Sequence, residues 1–134
     1  MATITTSITK QYRDLDLNFN IHPIRKDINK HTDEISVINA VKNLVLLNHY
    51  EKPFHPEIGS NVRKLLFENM DIVTSSALER EITQTITNFE PRVRISQIRV
   101  QPDYDSNSFK VQMEFFVQNR TNSVNITFFL ERNR

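Results

Sequence analysis

The feature that most constrains this chain is the junction Phe89-Glu90-Pro91-Arg92-Val93. Before it, Leu78, Ile82, Ile86 and Phe89 recur at helical spacing. After it, Val93 and Ile95 alternate as in a strand. Pro91 lacks a backbone N–H and disfavours helical geometry at Glu90, so the helix must stop and the chain is expected to run extended. In an extended segment residues two apart share a side, which places the opposite charges of Glu90 and Arg92 together. Glu90 also falls near a helix C-terminus, where the dipole disfavours an acid. That placement makes sense if a cation, from this chain or from a partner, lies opposite. Two readings stay open: a helix stop with an internal ion pair, or a contact point for another chain.

Helical patterns precede the junction and strand patterns follow it. Asp33 suits the cap of a first helix, in which Ile38, Val41 and Val45 form one stripe and Leu44 and Leu47 a neighbouring one. This helix is expected to end near Asn48-His49-Tyr50. Lys52-Pro53-Phe54-His55-Pro56 is a rigid connector, because two prolines fix its direction. Gly59 precedes a second, short helix with Val62, Leu65 and Leu66 inward and Arg63 and Lys64 outward. A third helix is expected to start between Thr74 and Ser76, where Ser76 and Glu79 fit a capping box.

Beyond the junction, Ile98 and Val100 fall out of phase with Val93 and Ile95, which predicts a bulge or bend between Ser96 and Gln97. Phe109, Val111, Met113, Phe115 and Val117 alternate with polar residues, and Val124, Ile126, Phe128 and Leu130 alternate again. The polar stretch 118–123 reads as the hairpin turn between them, and 102–107 as a turn or short loop. Upstream, Leu15, Leu17 and Phe19 alternate with Asp16 and Asn18, and the stretch from His22-Pro23 to Ile28 reads as a loop. Helices first and a meander second argue for an α+β fold, with three helices packed on a C-terminal antiparallel sheet and an N-terminal extended arm. The expected organisation is a single domain over 1–134: the arm at 1–33, the helical part at 34–90 and the sheet at 91–134.

Composition narrows the function. A chain of 134 residues supports one modest core. No stretch approaches a membrane span, and the polar start lacks a signal-peptide apolar block. Cys is absent, which excludes a thiol nucleophile and a disulfide framework. The four His residues share no ligand-like motif. With Gly59 the only glycine, the glycine-rich phosphate loops are excluded. The net charge of +1, with signs interspersed, forecasts neither nucleic acid nor an anionic membrane as a partner.

Glycoside hydrolysis would need two carboxylates facing each other across a cleft, about 5–10 Å apart. Glu57, Glu68, Asp71, Glu79, Glu81 and Glu90 are the candidates, but the pattern pairs none of them, and solvated helix acids are the commoner explanation. Asp14 with Asp16, or Asp103 with Asp105, can chelate a cation or cap a turn. Arg92, Arg94 and Arg99 can meet phosphates or form a solvated strand face. No cofactor, metal or catalytic set is therefore expected.

Three blocks in order carry a resemblance: Pro53-Phe54-His55-Pro56-Glu57-Ile58-Gly59, Leu65-Leu66-Phe67-Glu68-Asn69, and Glu90-Pro91-Arg92-Val93. Together with Asp14-Leu15 and Lys26-Asp27-Ile28, they resemble the baseplate wedge family that includes the gene twenty-five product of contractile-tailed phages. A subunit of the type VI secretion baseplate, TssE, is a relative. The likeness spans roughly residues 12–132. It implies a structural protein of the virion tail, made in the host cytoplasm and placed in the baseplate around the tail tube. It implies that Glu90, Pro91 and Arg92 contact the helical core bundle of the wedge. It further implies that the strands holding Phe109, Val111, Val124 and Ile126 meet the tail sheath protein and template the first sheath ring. The alternatives are a tail-associated, lysozyme-like glycan hydrolase and the equivalent type VI secretion subunit.

Overall fold

The computed structural model describes residues 13–16, 19–21, 23–27, 30–32, 34–118 and 120–132, the stretch 30–32 by its backbone only. Helix α1 covers Glu34–Leu46, α2 Val62–Leu65 and α3 Ile72–Phe89. Strand β1 (Arg13–Leu15) pairs antiparallel with β2 (Lys30–Thr32), so the expected arm contains a small two-stranded ribbon. Leu17, His22, Ile28 and the expected cap Asp33 lie outside the described residues. Strands β3 (Val93–Asp103), β4 (Ser108–Val117) and β5 (Ser123–Glu131) form an antiparallel sheet in the order β3-β4-β5. The α+β architecture, with three helices and a C-terminal meander, is as the pattern predicts.

The core lies between the helices and one face of this sheet. Val37, Val41 and Val45 of α1 and Leu78, Ile82 and Ile86 of α3 are fully buried. The sheet contributes Phe109, Val111, Met113, Phe115 and Val117 from β4 and Ile126 and Leu130 from β5. Phe109 and Phe115 are the largest fully buried side chains. Each removes roughly 150–250 Å² from water, which makes β4 the hydrophobic spine of the fold. The phase flip in β3 is a register shift between Ile95 and Gln97, so Ser96 is the extra residue.

Two helix boundaries differ from the sequence reading. α3 begins at Ile72, because Asp71 caps it: its carboxylate accepts the Thr74 N–H at 2.7 Å. The Ser76–Glu79 capping box does not form, since Ser76 lies inside the helix and Glu79 points elsewhere. α1 stops at Leu46 because the chain turns back at once. The Ser60 N–H bonds Leu47 O at 2.8 Å and the Tyr50 N–H bonds Pro56 O at 3.0 Å. Gly59, at φ +153°, makes this return possible: a Cβ there would lie 2.6 Å from backbone atoms of Asn48 and His49.

Candidate functional site

The junction forms a tight clamp. Glu90 caps α3, its N–H still bonded to Ile86 O at 2.9 Å. The chain does not run extended through Pro91, because the Val93 N–H returns to Glu90 O at 3.1 Å and closes a turn over Glu90–Val93. That turn brings Arg92 back over Glu90. Arg92 donates from Nε to Oε1 and from Nη2 to Oε2, both at 2.6 Å, a two-point fork. The Glu90 side chain is only 8 % exposed and that of Arg92 27 %. The cation expected opposite Glu90 is therefore supplied by this chain. Arg92 O also accepts the Gln118 N–H at 2.7 Å, which ties the clamp to the end of β4. Pro91 itself is exposed.

The sheet's edges follow from one bond. The Val100 N–H donates to Glu79 Oε1 at 2.8 Å, so it points away from β4. In an antiparallel ladder the N–H and C=O of a residue point the same way and alternate along the strand. On β3, Ile98, Val100 and Pro102 therefore face outward. Their partners Met113, Val111 and Phe109 face β5 instead, opposite Ile126, Phe128 and Leu130. The β4–β5 register is continuous, so Val124, Ile126, Phe128 and Leu130 all bond inward to β4. The outward backbone groups of β5 belong to Ser123, Asn125, Thr127, Phe129 and Glu131. No strand lies beyond β5 among the described residues.

This geometry redistributes the candidate partner residues. Phe109 and Val111 lie in the central strand, with both edges taken and both side chains fully buried in the chain's own core. Ile126 is also buried, and Val124 is half-buried at the margin of the core. The backbone positions that face outward, Asn125 and Thr127 among them, were not legible from alternation, which gives the side-chain phase but not the hydrogen-bonding phase.

The acids mostly hold the fold together. Glu79 bonds Val100, Glu81 accepts the Asn61 N–H at 2.9 Å, and Asp71 caps α3. Glu57 meets His55 Nδ1 at 3.1 Å, and Glu90 is held by Arg92. Glu68 is exposed. Asp14 accepts the Leu15 N–H, Asp16 accepts from Asn20 Nδ2, and Asp103 accepts from the Asp105 N–H and Ser106 Oγ. Among the described residues no group of three or more His, Asp or Glu is gathered as metal ligands would be. Arg94 and Arg99 lie exposed on β3. No helix among the described residues is long and apolar enough to cross a membrane.

A clamp at a helix–strand turn and a three-stranded antiparallel sheet whose outer strand β5 keeps its backbone groups outward are the features that the described residues bring together. The family described as baseplate wedge protein gp25 matches residues 31–123. The baseplate wedge protein gp25 of Enterobacteria phage T4 is 31 % identical over 111 residues, which cover 83 % of each chain. Among solved structures, a candidate tail lysozyme from Geobacter sulfurreducens superposes with a TM-score of 0.69 at 15 % identity, over 75 % of this chain and 92 % of that one. A chain of the anti-feeding prophage baseplate gives 0.62 at 14 % identity, over 92 % and 88 %. At these identities the structures speak for the fold. The chain belongs to the gp25 family of baseplate wedge proteins.

Proposed function

We propose that this chain is a structural subunit of a contractile-tail baseplate, located in the virion tail, which joins other wedge proteins and accepts a strand from the tail sheath protein at the outer edge of β5. Family membership supports the baseplate role. The observation that carries the strand-accepting role is the edge itself. β5 offers outward N–H and C=O groups from Ser123 to Glu131, with no proline and no register shift. Val124 and Phe128 are only half-buried beside it, so an added strand with alternate apolar residues completes their burial. The Glu90–Arg92 clamp is the proposed contact with the helical core bundle of the wedge. It presents Pro91 and the exposed part of Arg92 in one fixed conformation. The subunit works without catalysis in this reading: of the acids that a hydrolase would need, Glu57, Asp71, Glu79, Glu81 and Glu90 hold backbone groups or side chains, and Glu68 is exposed.

The test uses the outward phase of β5. Asn125→Pro or Thr127→Pro removes a donor that faces an arriving chain and spares the ladder to β4. Particles assembled with either variant are expected to carry baseplates and tubes but poorly nucleated sheaths in negative-stain images. Sheaths of normal length and start position with both variants overturn the strand-accepting role.

A further inference from the structure

A sheet with three strands has two edges, and strand addition at the wrong one would misdirect assembly. The edges of this sheet differ in kind. On β5 every outward residue keeps its N–H and the register is unbroken. On β3 the three outward positions beyond the bulge are Ile98, Val100 and Pro102. The Val100 N–H is already bonded to Glu79 Oε1 at 2.8 Å. Pro102 has no N–H to offer. Beyond the bulge at most one donor, that of Ile98, is left for an incoming strand; before it the Ile95 N–H also faces outward, but the extra residue at Ser96 puts it out of step with Ile98.

Glu79 can do this because of the junction. The turn at Glu90–Val93 sends the chain straight back along α3, so α3 and β3 run side by side and antiparallel. Leu78 and Ile82 point into the core, and the neighbouring Glu79 reaches the strand's rim. Its carboxylate occupies the place that the carbonyl of an added strand would take. A negative charge there also repels the carbonyl dipoles of any backbone that approaches.

We infer that Glu79 and Pro102 seal the β3 edge, and that Glu79 thereby directs strand addition to β5 alone. This rests on the reading of β5 as the accepting edge. It assigns Glu79 a directing role in assembly. The partner it excludes is any free strand, including the β3 edge of a second copy of this chain.

The test exploits the absence of cysteine. A single cysteine at the exposed position 101 (Gln101→Cys) reports β3-to-β3 pairing as a disulfide-linked dimer under mild oxidation. In the otherwise native chain, no dimer above the level of dilute denatured protein is expected. In the Glu79→Ala/Pro102→Val background, which restores both donors, the dimer is expected to become a major, concentration-dependent species. Glu79→Gln keeps an acceptor and is expected to behave as the native chain does. If the double variant does not fold, Glu79→Ala and Pro102→Val alone are scored in the same way, each expected above the native level. Folded variants that cross-link no more than the native chain overturn the sealing role, as does a native chain that already cross-links. The β5 proline variants fail or succeed independently of this readout, so the two ideas can be lost separately.

Discussion

Arg92 holds both carboxylate oxygens of Glu90 at 2.6 Å while Glu90 itself is almost withdrawn from water. A charge so placed depends on its partner. Arg92→Ala leaves a buried carboxylate unpaired, a change that costs about 3 kcal/mol or somewhat more. The expected result is a clear loss of stability in chemical denaturation. Glu90→Gln/Arg92→Ala removes the charge as well and is expected to recover part of the loss. Equal stability of the native chain and Arg92→Ala would place the pair's value wholly at an interface.

The same pair separates folding from assembly. Arg92→Lys keeps a cation but loses the two-point fork. It is expected to retain most of the stability yet to co-purify poorly with wedge core proteins, if the fixed guanidinium plane is what the core bundle meets. Full co-purification of Arg92→Lys would reduce the clamp to an internal fastening.

Gly59→Ala is expected to be strongly destabilising. At φ +153° the backbone strain alone costs about 1–3 kcal/mol, and the added Cβ meets backbone rather than a yielding side chain. Each kcal/mol shifts the melting temperature of a domain this size by roughly 3–5 °C. A thermal melt within a degree of the native one would show that the loop after α1 can relax away from Asn48.

The start of α3 gives a paired test. Asp71→Ala removes the side chain that accepts the Thr74 N–H and is expected to lower the melting temperature. Ser76→Ala, four residues into the exposed side of the helix, is expected to leave it unchanged. The sequence predicts the cap at Ser76, and only the structure puts it at Asp71. Ser76 with Glu79 fits the more elaborate signature, but Glu79 is drawn away by Val100, a tertiary partner that no local pattern contains.

That contrast describes how far the residues could be read. The alternation in β4 and β5 is legible because one face is buried and the other is not. The flip between Ile95 and Ile98 likewise reveals the extra residue at Ser96. The Glu90–Arg92 pair is legible because both partners lie two residues apart around a proline. The bonds from Glu79 to Val100 and from Glu81 to Asn61 join residues about twenty apart and leave no trace in spacing. The edge positions of β5 were hidden for the same reason, since they follow only once the Val100 N–H is known to point outward.

Acid should weaken the fold through several carboxylates. Asp71 is held below its ordinary value first by the Thr74 N–H, Glu51 by the Asn48 N–H, Glu57 by its own backbone N–H and then His55, and Asp103 by the Ser106 hydroxyl. Because the folded values are lowered, these groups contribute stability above the unfolded carboxylate range, and the contribution is lost as pH falls through their folded values. Melting temperatures are expected to be flat above about pH 5 and to drop below about pH 4. In the Asp71→Ala variant the drop should be shallower. An identical acid limb would show that Asp71 plays no part in it.

Each strand of the sheet lies beside its neighbour in the chain, and α3 leads directly into β3. Contacts between near neighbours close small loops, and chains rich in them fold quickly. The half of the molecule from Ile72 onward can therefore collapse before α1 and α2 have docked. For a subunit proposed to keep the β5 edge open, speed is a form of protection. The interval in which half-formed strands could capture one another is short, and the open edge is presented only once the rest of the meander is in place.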